Sequence, residues 1–418
     1  MSSEWPIAKL GDLTVNLDSK RKPVKGPDRK PGPYPYYGAS GIVDYVDGYI
    51  FDGEHLLIAE DGENLRTRQT PIAFRACGKF WVNNHAHIVV GNERASTRYL
   101  EYALLATDIT SYLTGAVMPK LTQGNMNLIE VPCPPRDIQD QIVSVLGAHD
   151  DRINLLRETN ATLEAIAQAL FKSWFVNFDP VHAKMQGRAP EGMDEATAAL
   201  FPESLEESEL GAVPKGWSMI SFRDSINVIG GGTPKTSVPE YWGGDIPWFS
   251  VVDAPGASDV FVVDTEKHIT EAGLNGSSTK LLPAGTTIIS ARGTVGRLAL
   301  TGCPMAMNQS CYGLRGKAGD QYFTYFSTTR LVEQLKQRAH GSVFDTITQE
   351  TFAGVSLCYP ATEVIQAFEQ LVEPLLMRIR ENLIQANSLT SLRNSLLPRL
   401  ISGQLSTPDT QAIAESVT

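Results

Sequence analysis

The chain contains one block of sequence twice, and this internal repeat restricts its fold more than any other feature. The block Gly115–Trp174 returns in outline as Gly341–Leu400. Equivalent pairs, each 226 positions apart, are Val117 and Val343, Thr122 and Thr348, Ile129 and Val355, and Pro134 and Pro360. One constant separation over the whole block indicates a duplicated structural unit rather than chance similarity.

Both copies of the block carry apolar residues at heptad spacing. The column consists of Ile142, Leu156, Leu163 and Leu170 in the first copy, and of Phe368, Leu389 and Leu396 with Asn382 in the second. Such spacing is typical of coiled-coil helices. It predicts two long helices, over 136–180 and 361–404, that pack on each other in antiparallel fashion. His149 and Asn382 fall in the apolar stripe, where a polar side chain typically fixes the register.

A globular stretch precedes each copy of the block. It begins at Trp5 in one case and at Trp217 in the other, 212 positions apart, so the second stretch is 14 residues longer (226 minus 212). Predicted strands are Gly41–Gly48, His55–Ala59, Phe80–Val82 and His87–Val90, then Asp245–Val252, Thr286–Ser290 and Arg297–Leu300, with a helix at Thr97–Thr107. The sequence therefore predicts an α/β dumbbell, with pseudo-symmetric domains 1–135 and 214–360 separated by the helices. Domains that diverged on matched helices indicate two different specificities.

The charge is distributed unevenly along the chain. The net charge of −11 taken alone argues against a nucleic-acid partner. Seven acidic residues and no basic ones lie between Ala189 and Pro214, which predicts an acidic linker or a short interaction segment over 181–213. In contrast, the loop Lys20–Lys30 contains six basic residues and one acidic residue and can bind phosphate. The basic candidates for DNA contacts in the first domain are Lys20, Arg21, Lys22, Lys25, Arg68 and Lys120.

Three features of the sequence bear on the cellular compartment of the protein. The five cysteines form no Cys-x-x-Cys pair, and the N-terminus has neither the basic nor the apolar region of a signal peptide. No apolar run approaches the roughly 18 residues of a membrane helix. These observations predict a soluble cytoplasmic protein without a membrane segment. The polar tail 405–418 is expected to fray.

The segment Gly230–Lys235 is rich in glycine and opens the second domain. It has neither the Gly-Lys-Ser/Thr of a P-loop nor the third glycine of a dinucleotide fingerprint. Two interpretations stay open. The segment is either a nest for a DNA phosphate, built with Gly231, Thr233 and Lys235, or a plain turn.

In each domain, an apolar strand ends with charged residues and glycine, and two adjacent residues with amide side chains follow later in the sequence. The strand ends are Ile58–Gly62 and Ser290–Gly296. The candidate contacts are Asn83 and Asn84 in the first domain, and Arg292, Asn308 and Gln309 in the second. These side chains can pair with adenine edges or phosphates. Buried amides that tie loops together are an equally good interpretation.

Motifs for catalysis are missing. His85 and His87 share one face of a strand but have no third ligand nearby, and Asp18 with Asp28 and Lys30 mimics a nuclease pattern only within a loop. The sequence also lacks an amine-methylation motif, a Walker A motif and a Ser-His or Cys-His motif. We therefore predict no catalytic residue, no metal site and no bound cofactor in this chain.

Bulky apolar residues extend beyond the heptad column near the end of each block. They are Phe171, Trp174 and Phe175 in the first copy, and Leu396, Leu397 and Leu400 in the second. With the helix contact already filled, this surplus predicts an outward stripe that binds partner subunits.

A series of longer motifs, in a fixed order, points to one family. They are Pro35–Gly41, Ile50–Glu54, Leu57–Gly62, Phe80–His85 and Leu170–Pro180, then Gly231–Pro234, Asp245–Trp248, Ser290–Gly296 and Leu396–Gly403. The chain resembles, over nearly its whole length, the specificity subunits of type I restriction-modification enzymes.

The resemblance implies two target-recognition domains that each read one half of a split sequence in double-stranded DNA. The helical repeats would set the gap and dock two modification subunits, which bind S-adenosylmethionine and methylate adenine. Two restriction subunits would add ATP-driven translocation, with Mg, and cleavage. A DNA-binding adaptor of another defence or regulatory complex is the alternative on the same scaffold. A glycine-loop hydrolase with a coiled-coil dimerisation arm is the alternative from a different class.

Overall fold

The computed structural model describes residues 5–209, 211–256, 259–338 and 346–406. The chain divides into two units: Met1–Ile153 with Ser388–Thr418, and Asn154–Asn387. Two long helices, α5 (Arg136–Phe175) and α12 (Thr362–Ser402), contribute to both units. The two predicted long helices are present, and their apolar faces belong to the cores of the two α/β units.

The first unit is an α/β structure with two main sheets. Its strands are β1 (Ile7–Lys9), β2 (Thr14–Asn16), β3 (Pro31–Gly38), β4 (Gly41–Val46), β5 (His55–Ala59), β6 (Ala73–Ala76), β7 (Trp81–Val82), β8 (Ala86–Gly91) and β9 (Glu130–Pro132). Its short helices are α1 (Leu10–Leu13), α2 (Asn64–Thr67), α3 (Thr97–Ala106) and α4 (Gln123–Leu128). The sheets have the orders β2-β8-β5-β6 and β4-β3-β7, and β1 pairs with β9.

The second unit repeats this arrangement with additions. Its strands are β10 (Leu205–Ser208), β11 (Gly211–Pro214), β12 (Ser218–Ser221), β13 (Ile226–Gly230), β14 (Trp242–Phe249), β15 (Phe261–Val262), β16 (His268–Ile269), β17 (Thr287–Ser290), β18 (Leu298–Thr301), β19 (Ala306–Met307), β20 (Cys311–Gly316) and β21 (Ser356–Tyr359). Its short helices are α6 (Asp179–Met185), α7 (Glu195–Ala199), α8 (Phe222–Ser225), α9 (Glu271–Asn275), α10 (Tyr322–Arg338) and α11 (Gln349–Ala353).

The sheet orders show that the two units share one topology. The order β13-β20-β17-β18-β15 matches that of the first large sheet with one added strand, and β16-β14-β19 matches the first small sheet. The pairing β12-β21 likewise matches β1-β9. Equivalent N-caps support the match: Thr122 accepts from the backbone N–H of Asn125 at α4, and Thr348 from that of Thr351 at α11. The duplication seen in the sequence is thus a duplication of the fold.

The long helices run antiparallel within each unit, as predicted. In the second unit, Asn160 of α5 contacts Asn382 of α12, while the later Phe171 contacts the earlier Phe368 at 5.9 Å between ring centroids. In the first unit, Asp150 pairs with Arg393 at 2.5 Å.

The acidic segment differs from the predicted linker. It forms α6, α7 and the β10-β11 hairpin, and it belongs to the second unit. Val181, Phe201 and Val213 are 0%, 2% and 4% exposed and lie in the same apolar cluster as the end of α5. The sequence did not reveal this packing, because the buried residues are few and lie far apart among many acidic residues.

Some predictions fall on parts of the chain outside the described residues. These include most of the tail, 407–418, and the start of the second repeat block, 341–345. Among the described residues, no helix is both long and apolar enough to span a membrane.

Candidate nucleic-acid interface

A tightly bonded turn connects β7 and β8 in the first unit; it is called the first turn (residues 82–86). The backbone N–H of Asn83 donates to the carbonyl of Tyr37 at 2.9 Å, and its side-chain oxygen accepts from the N–H of His85 at 2.8 Å. The N–H of Glu60, after β5, donates to the carbonyl of His85 at 2.9 Å. These bonds leave Asn84 exposed at the tip of the turn.

The second unit contains the same bonds around the second turn (residues 307–311). The N–H of Asn308 donates to the carbonyl of Phe249 at 2.9 Å. Its side-chain oxygen accepts from the N–H of Ser310 at 3.0 Å, and the N–H of Ala291 donates to the Ser310 carbonyl at 2.7 Å. Gln309 is exposed at the tip. Asn83 and Asn308 therefore tie their turns together, whereas Asn84 and Gln309 face solvent.

A third segment, Lys120–Leu121 in the first unit and Thr346–Ile347 in the second, forms hydrogen bonds with the strand end beside each turn. The N–H of Leu121 donates to the Glu60 carbonyl at 2.8 Å, and the N–H of Ile347 donates to the Ala291 carbonyl at 2.9 Å. Isolated β-bridges join Asp61 with Lys120 in the first unit and Arg292 with Thr346 in the second. Asp61 and Arg292 thus occupy equivalent positions on equivalent backbones.

The charges at these equivalent positions are opposite. In the first unit, Asp61 accepts from Nδ1 of His85 at 2.9 Å, and these side chains are 26% and 52% exposed. In the second unit, Arg292 is exposed and forms no side-chain hydrogen bond or ion pair with any described residue. The sequence did not single out Asp61 or His85 as a pair because 24 residues separate them.

The basic loop of the first unit lies against the first turn. The indole N–H of Trp81 donates to the backbone carbonyl of Lys22 at 2.6 Å, which fixes the loop beside β7. The side chains of Lys20, Lys22 and Lys25 are exposed. Lys120 is 51% exposed and lies 3.5 Å from Glu60. Lys22 thus lies beside β7, just before the first turn, and Lys120 lies across a β-bridge from Asp61.

Arg21 has a different environment from the lysines. Its guanidinium donates to Glu60 and to the backbone carbonyl of Ala86, both at 2.8 Å, and lies 3.5 Å from Asp18. Its side chain is only 15% exposed. Arg21 therefore holds the start of the basic loop against β8.

A buried ion pair lies beneath Arg21. Nδ1 of His87 is 2.6 Å from a carboxylate oxygen of Asp18, and Nε2 is 2.8 Å from the carbonyl of Leu121. Because both ring nitrogens face acceptors, both carry a proton. Burial opposes this charge, but the bonds to Asp18 and Leu121 outweigh it and raise the pKa of His87. For Asp18 too, burial is outweighed by the bonds from His87 and Ile88, so its pKa is lowered.

Arg68 likewise lies in a structural setting. It ends α2 in the left-handed conformation, with φ of 50°, and its guanidinium donates to the carbonyls of Leu105 and Thr107 behind α3. Burial lowers its pKa. The local sequence could not indicate these bonds, because Leu105 and Thr107 lie 37 and 39 residues later.

The glycine-rich segment packs against the second turn. A Cβ on Gly231 would stand 1.9 Å from the carbonyl oxygen of Asn308, so only glycine fits there. The N–H of Gly232 donates to the carbonyl of Met307 at 2.9 Å, and the Thr233 hydroxyl donates to the side chain of Gln309. The Gly232 N–H is therefore already paired, and the segment lies close against the second turn. Lys235 is exposed at its end.

The predicted outward stripe is buried. Phe171, Trp174 and Phe175 are 6%, 4% and 4% exposed, and Leu396, Leu397 and Leu400 are 3%, 9% and 1% exposed. The first set lies in one cluster with aromatic residues of α10, and the second set lies in one cluster with residues of α3. The prediction of a partner surface at these residues is wrong, because each unit covers its own helix end.

No group of three or more His, Cys, Asp or Glu side chains in the described ranges is arranged to hold a metal ion. His85 and His87 instead bind separate carboxylates, those of Asp61 and Asp18. The predicted two-histidine geometry therefore serves hydrogen bonding.

Comparison with known proteins agrees with the duplicated fold. A family model described as the type I restriction modification DNA specificity domain matches residues 2–165 and again residues 214–371. These two ranges make up well over half of the chain, and each contains one of the two turns. The chain belongs to the family of type I restriction-modification specificity subunits.

Relatives of this specificity subunit cover much of its length. The type I restriction enzyme HindI specificity subunit of Haemophilus influenzae is 29% identical over 355 residues, 73% of this chain and 77% of the relative. The type I restriction enzyme MjaIX specificity subunit of Methanocaldococcus jannaschii is 32% identical over 179 residues, 40% of this chain and 41% of the relative. The crystal structure of a type I restriction-modification S subunit from M. genitalium covers 96% of each chain, with 15% identity and a TM-score of 0.56. That likeness concerns the fold.

Proposed function

We propose that each unit of this specificity subunit binds one half of a split sequence in double-stranded DNA, through the surface around its turn. The observation that carries the proposal is one hydrogen-bond arrangement with different side chains. The first turn presents Asn84 beside Asp61 and His85, and the second presents Gln309 beside Arg292. A shared backbone with unlike side chains suits the recognition of two different half-sites.

The exposed cations support DNA as the ligand. Lys20, Lys22 and Lys25 are exposed in the basic loop beside β7, Lys120 is exposed beside Glu60, and Lys235 ends the segment packed on the second turn. Contacts from lysine to phosphate position a protein on the duplex without reading its sequence. In this proposal the lysines hold the backbone, and the side chains nearest the turns read the bases.

The chemistry is assigned to partner subunits. Two modification subunits would dock on the repeated helical regions, bind S-adenosylmethionine and methylate adenine. Two restriction subunits would supply ATP- and Mg-dependent translocation and cleavage. Two copies of each are proposed because a duplicated fold offers two equivalent docking sites. Copurification of the full chain, followed by native mass measurement, tests both the identity and the number of the partners.

Genome-wide mapping of adenine methylation, with and without the gene for this chain, tests the proposed recognition. The expected result is a split motif that depends on the gene. Replacing Met1–Pro134 by the first domain of another family member should then change one half of the motif and leave the other half intact. A change in both halves, or no gene-dependent motif, would contradict the proposal.

A further inference from the structure

The two turns differ most at one pair of equivalent positions. Asp61 directly follows Glu60, and Arg292 directly follows Ala291. The backbone N–H of Glu60 or Ala291 donates to the turn, and its carbonyl accepts from Leu121 or Ile347, respectively. The lengths of these hydrogen bonds agree to within 0.2 Å in the two units. The bond to the turn is 2.9 Å in the first unit and 2.7 Å in the second, and the bond from Leu121 or Ile347 is 2.8 Å and 2.9 Å. The backbone is therefore held alike in both units, while the side chain carries a negative charge in one and a positive charge in the other.

We propose that Asp61 and Arg292 each read a base at the equivalent place of their two half-sites. Arg292 donates to the major-groove edge of a guanine in the second half-site. Asp61 accepts from the exocyclic amino group of a cytosine or an adenine in the first half-site. This inference rests on the proposed function and assigns individual residues to it.

Both side chains have free bonding capacity. Arg292 is exposed and unpaired among the described residues, so its planar fork can meet the O6 and N7 acceptors of guanine together. Asp61 holds one partner, His85, and a carboxylate can accept about four hydrogen bonds. The bond from Nδ1 of His85 orients the carboxylate without saturating it.

The surroundings favour base contacts over phosphate contacts. Lys120 lies across a β-bridge from Asp61 and can bind a phosphate, whereas the Asp61 carboxylate would repel a phosphate but attract an amino group. Because Arg292 occupies the backbone position equivalent to that of Asp61, we assign it the same role, a contact with a base. A phosphate contact by Arg292 is the competing interpretation, and it predicts a loss of affinity that is independent of sequence.

The test uses the full chain with its modification subunits and the mapping of adenine methylation. Arg292→Gln should relax the requirement for one guanine in the second half-site by about 10- to 100-fold in preference over other bases, and leave the first half-site unchanged. Arg292→Lys should also relax it, because the charge stays but the fork is lost. Asp61→Asn should alter one position of the first half-site only. The unaffected half-site in each variant shows that the protein is folded.

Matched controls are Arg315→Gln on β20 and Asp12→Asn in α1, both exposed, which should keep the wild-type motif. The inference is overturned if the wild-type motif has no guanine in its second half, or if Arg292→Gln keeps the motif. It is also overturned if Arg292→Gln lowers methylation at all sequences equally. A wild-type chain without any split motif would instead contradict the proposed function itself.

Discussion

At the scale of single residues, the buried His87–Asp18 pair lies just before the basic loop Lys20–Lys30. His87 is 1% exposed, so removing Asp18 leaves a buried charge whose remaining carboxylate neighbour, Glu60, is 3.8 Å away. We expect Asp18→Ala to lower the free energy of unfolding by about 3 kcal/mol near pH 6. Urea denaturation of the full chain measures this difference, and the exposed Asp12→Ala serves as the control. Equal losses in the two variants would contradict the role of the pair.

The same pair makes a prediction about pH. The pKa of His87 is raised above 6.5, so its contribution to stability is complete below pH 6.5 and is lost as the pH rises through the raised value. The pKa of Asp18 is lowered below 3.8, so its contribution is present above pH 3.8 and is lost as the pH falls through the lowered value. The difference between wild type and Asp18→Ala should therefore be largest between pH 3.8 and 6.5 and shrink at alkaline pH. A constant difference from pH 5 to pH 9 would show that His87 does not titrate there.

The candidate site also shows which residue roles the sequence could reveal. Lys20, Lys22 and Lys25 are exposed in a loop, where a dense run of basic residues is visible in the local sequence, and their contact with DNA stays a prediction. The partners of Arg21 and Arg68 lie on β8 and behind α3, so the local sequence could not show that these two guanidinium groups are already bonded within the unit. The pair of Asp61 and His85 was missed for the same reason. Local sequence gives the charge of a side chain, whereas the fold decides which charges are already paired.

At the scale of elements, a pair of buried asparagines joins the long helices in the second unit. The side-chain amide of Asn382 donates to Asn160 at 2.9 Å, and the amide of Asn160 donates to the carbonyl of Ile379 at 3.1 Å. Both asparagines are at most 2% exposed. A slip of either helix would separate this pair and bury unpaired amides, so the pair fixes the register.

A double-mutant cycle tests this contact. We expect Asn160→Leu and Asn382→Leu each to lower the free energy of unfolding by about 1–3 kcal/mol, because each leaves a buried amide unpaired. The double variant should be much less destabilised than the sum of the two, since it removes both polar groups. The exposed pair Arg378 and Glu381, treated in the same way with alanine, should show coupling below about 1 kcal/mol. Additive effects of the two leucines would argue against a coupled pair.

The elements themselves were predictable where the pattern is local. Strand β5 has the predicted bounds His55–Ala59, and α3 ends one residue before the predicted Thr107. The helix contact near Asn382 also followed from heptad spacing, although its partner Asn160 did not. The apolar end of each long helix was misread as a surface, because periodicity shows that a face is apolar but not which element covers it. Coverage by α3 and α10 comes from contacts distant in sequence.

At the scale of the whole molecule, both long helices pass without a break from one unit to the other. The boundaries fall after Ile153 in α5 and after Asn387 in α12. Seven residues restore the heptad phase, so a matched insertion of seven residues at both points keeps the apolar stripes facing each other. Because the insertion adds about 10 Å of helix, and ten base pairs span about 34 Å, we expect the gap of the DNA motif to grow by about three base pairs.

Methylation mapping of this double insertion, together with each single insertion, tests the proposed role of the helices in setting the gap. The half-sites should stay as in the wild type, because each turn and its flanking strands lie entirely within one unit. Either insertion alone should abolish methylation or destabilise the chain, since one helix then lacks a partner of matching length. An unchanged gap in the double insertion would mean that the helices do not set it. Altered half-sites would mean that base recognition depends on parts of the chain beyond the two turns.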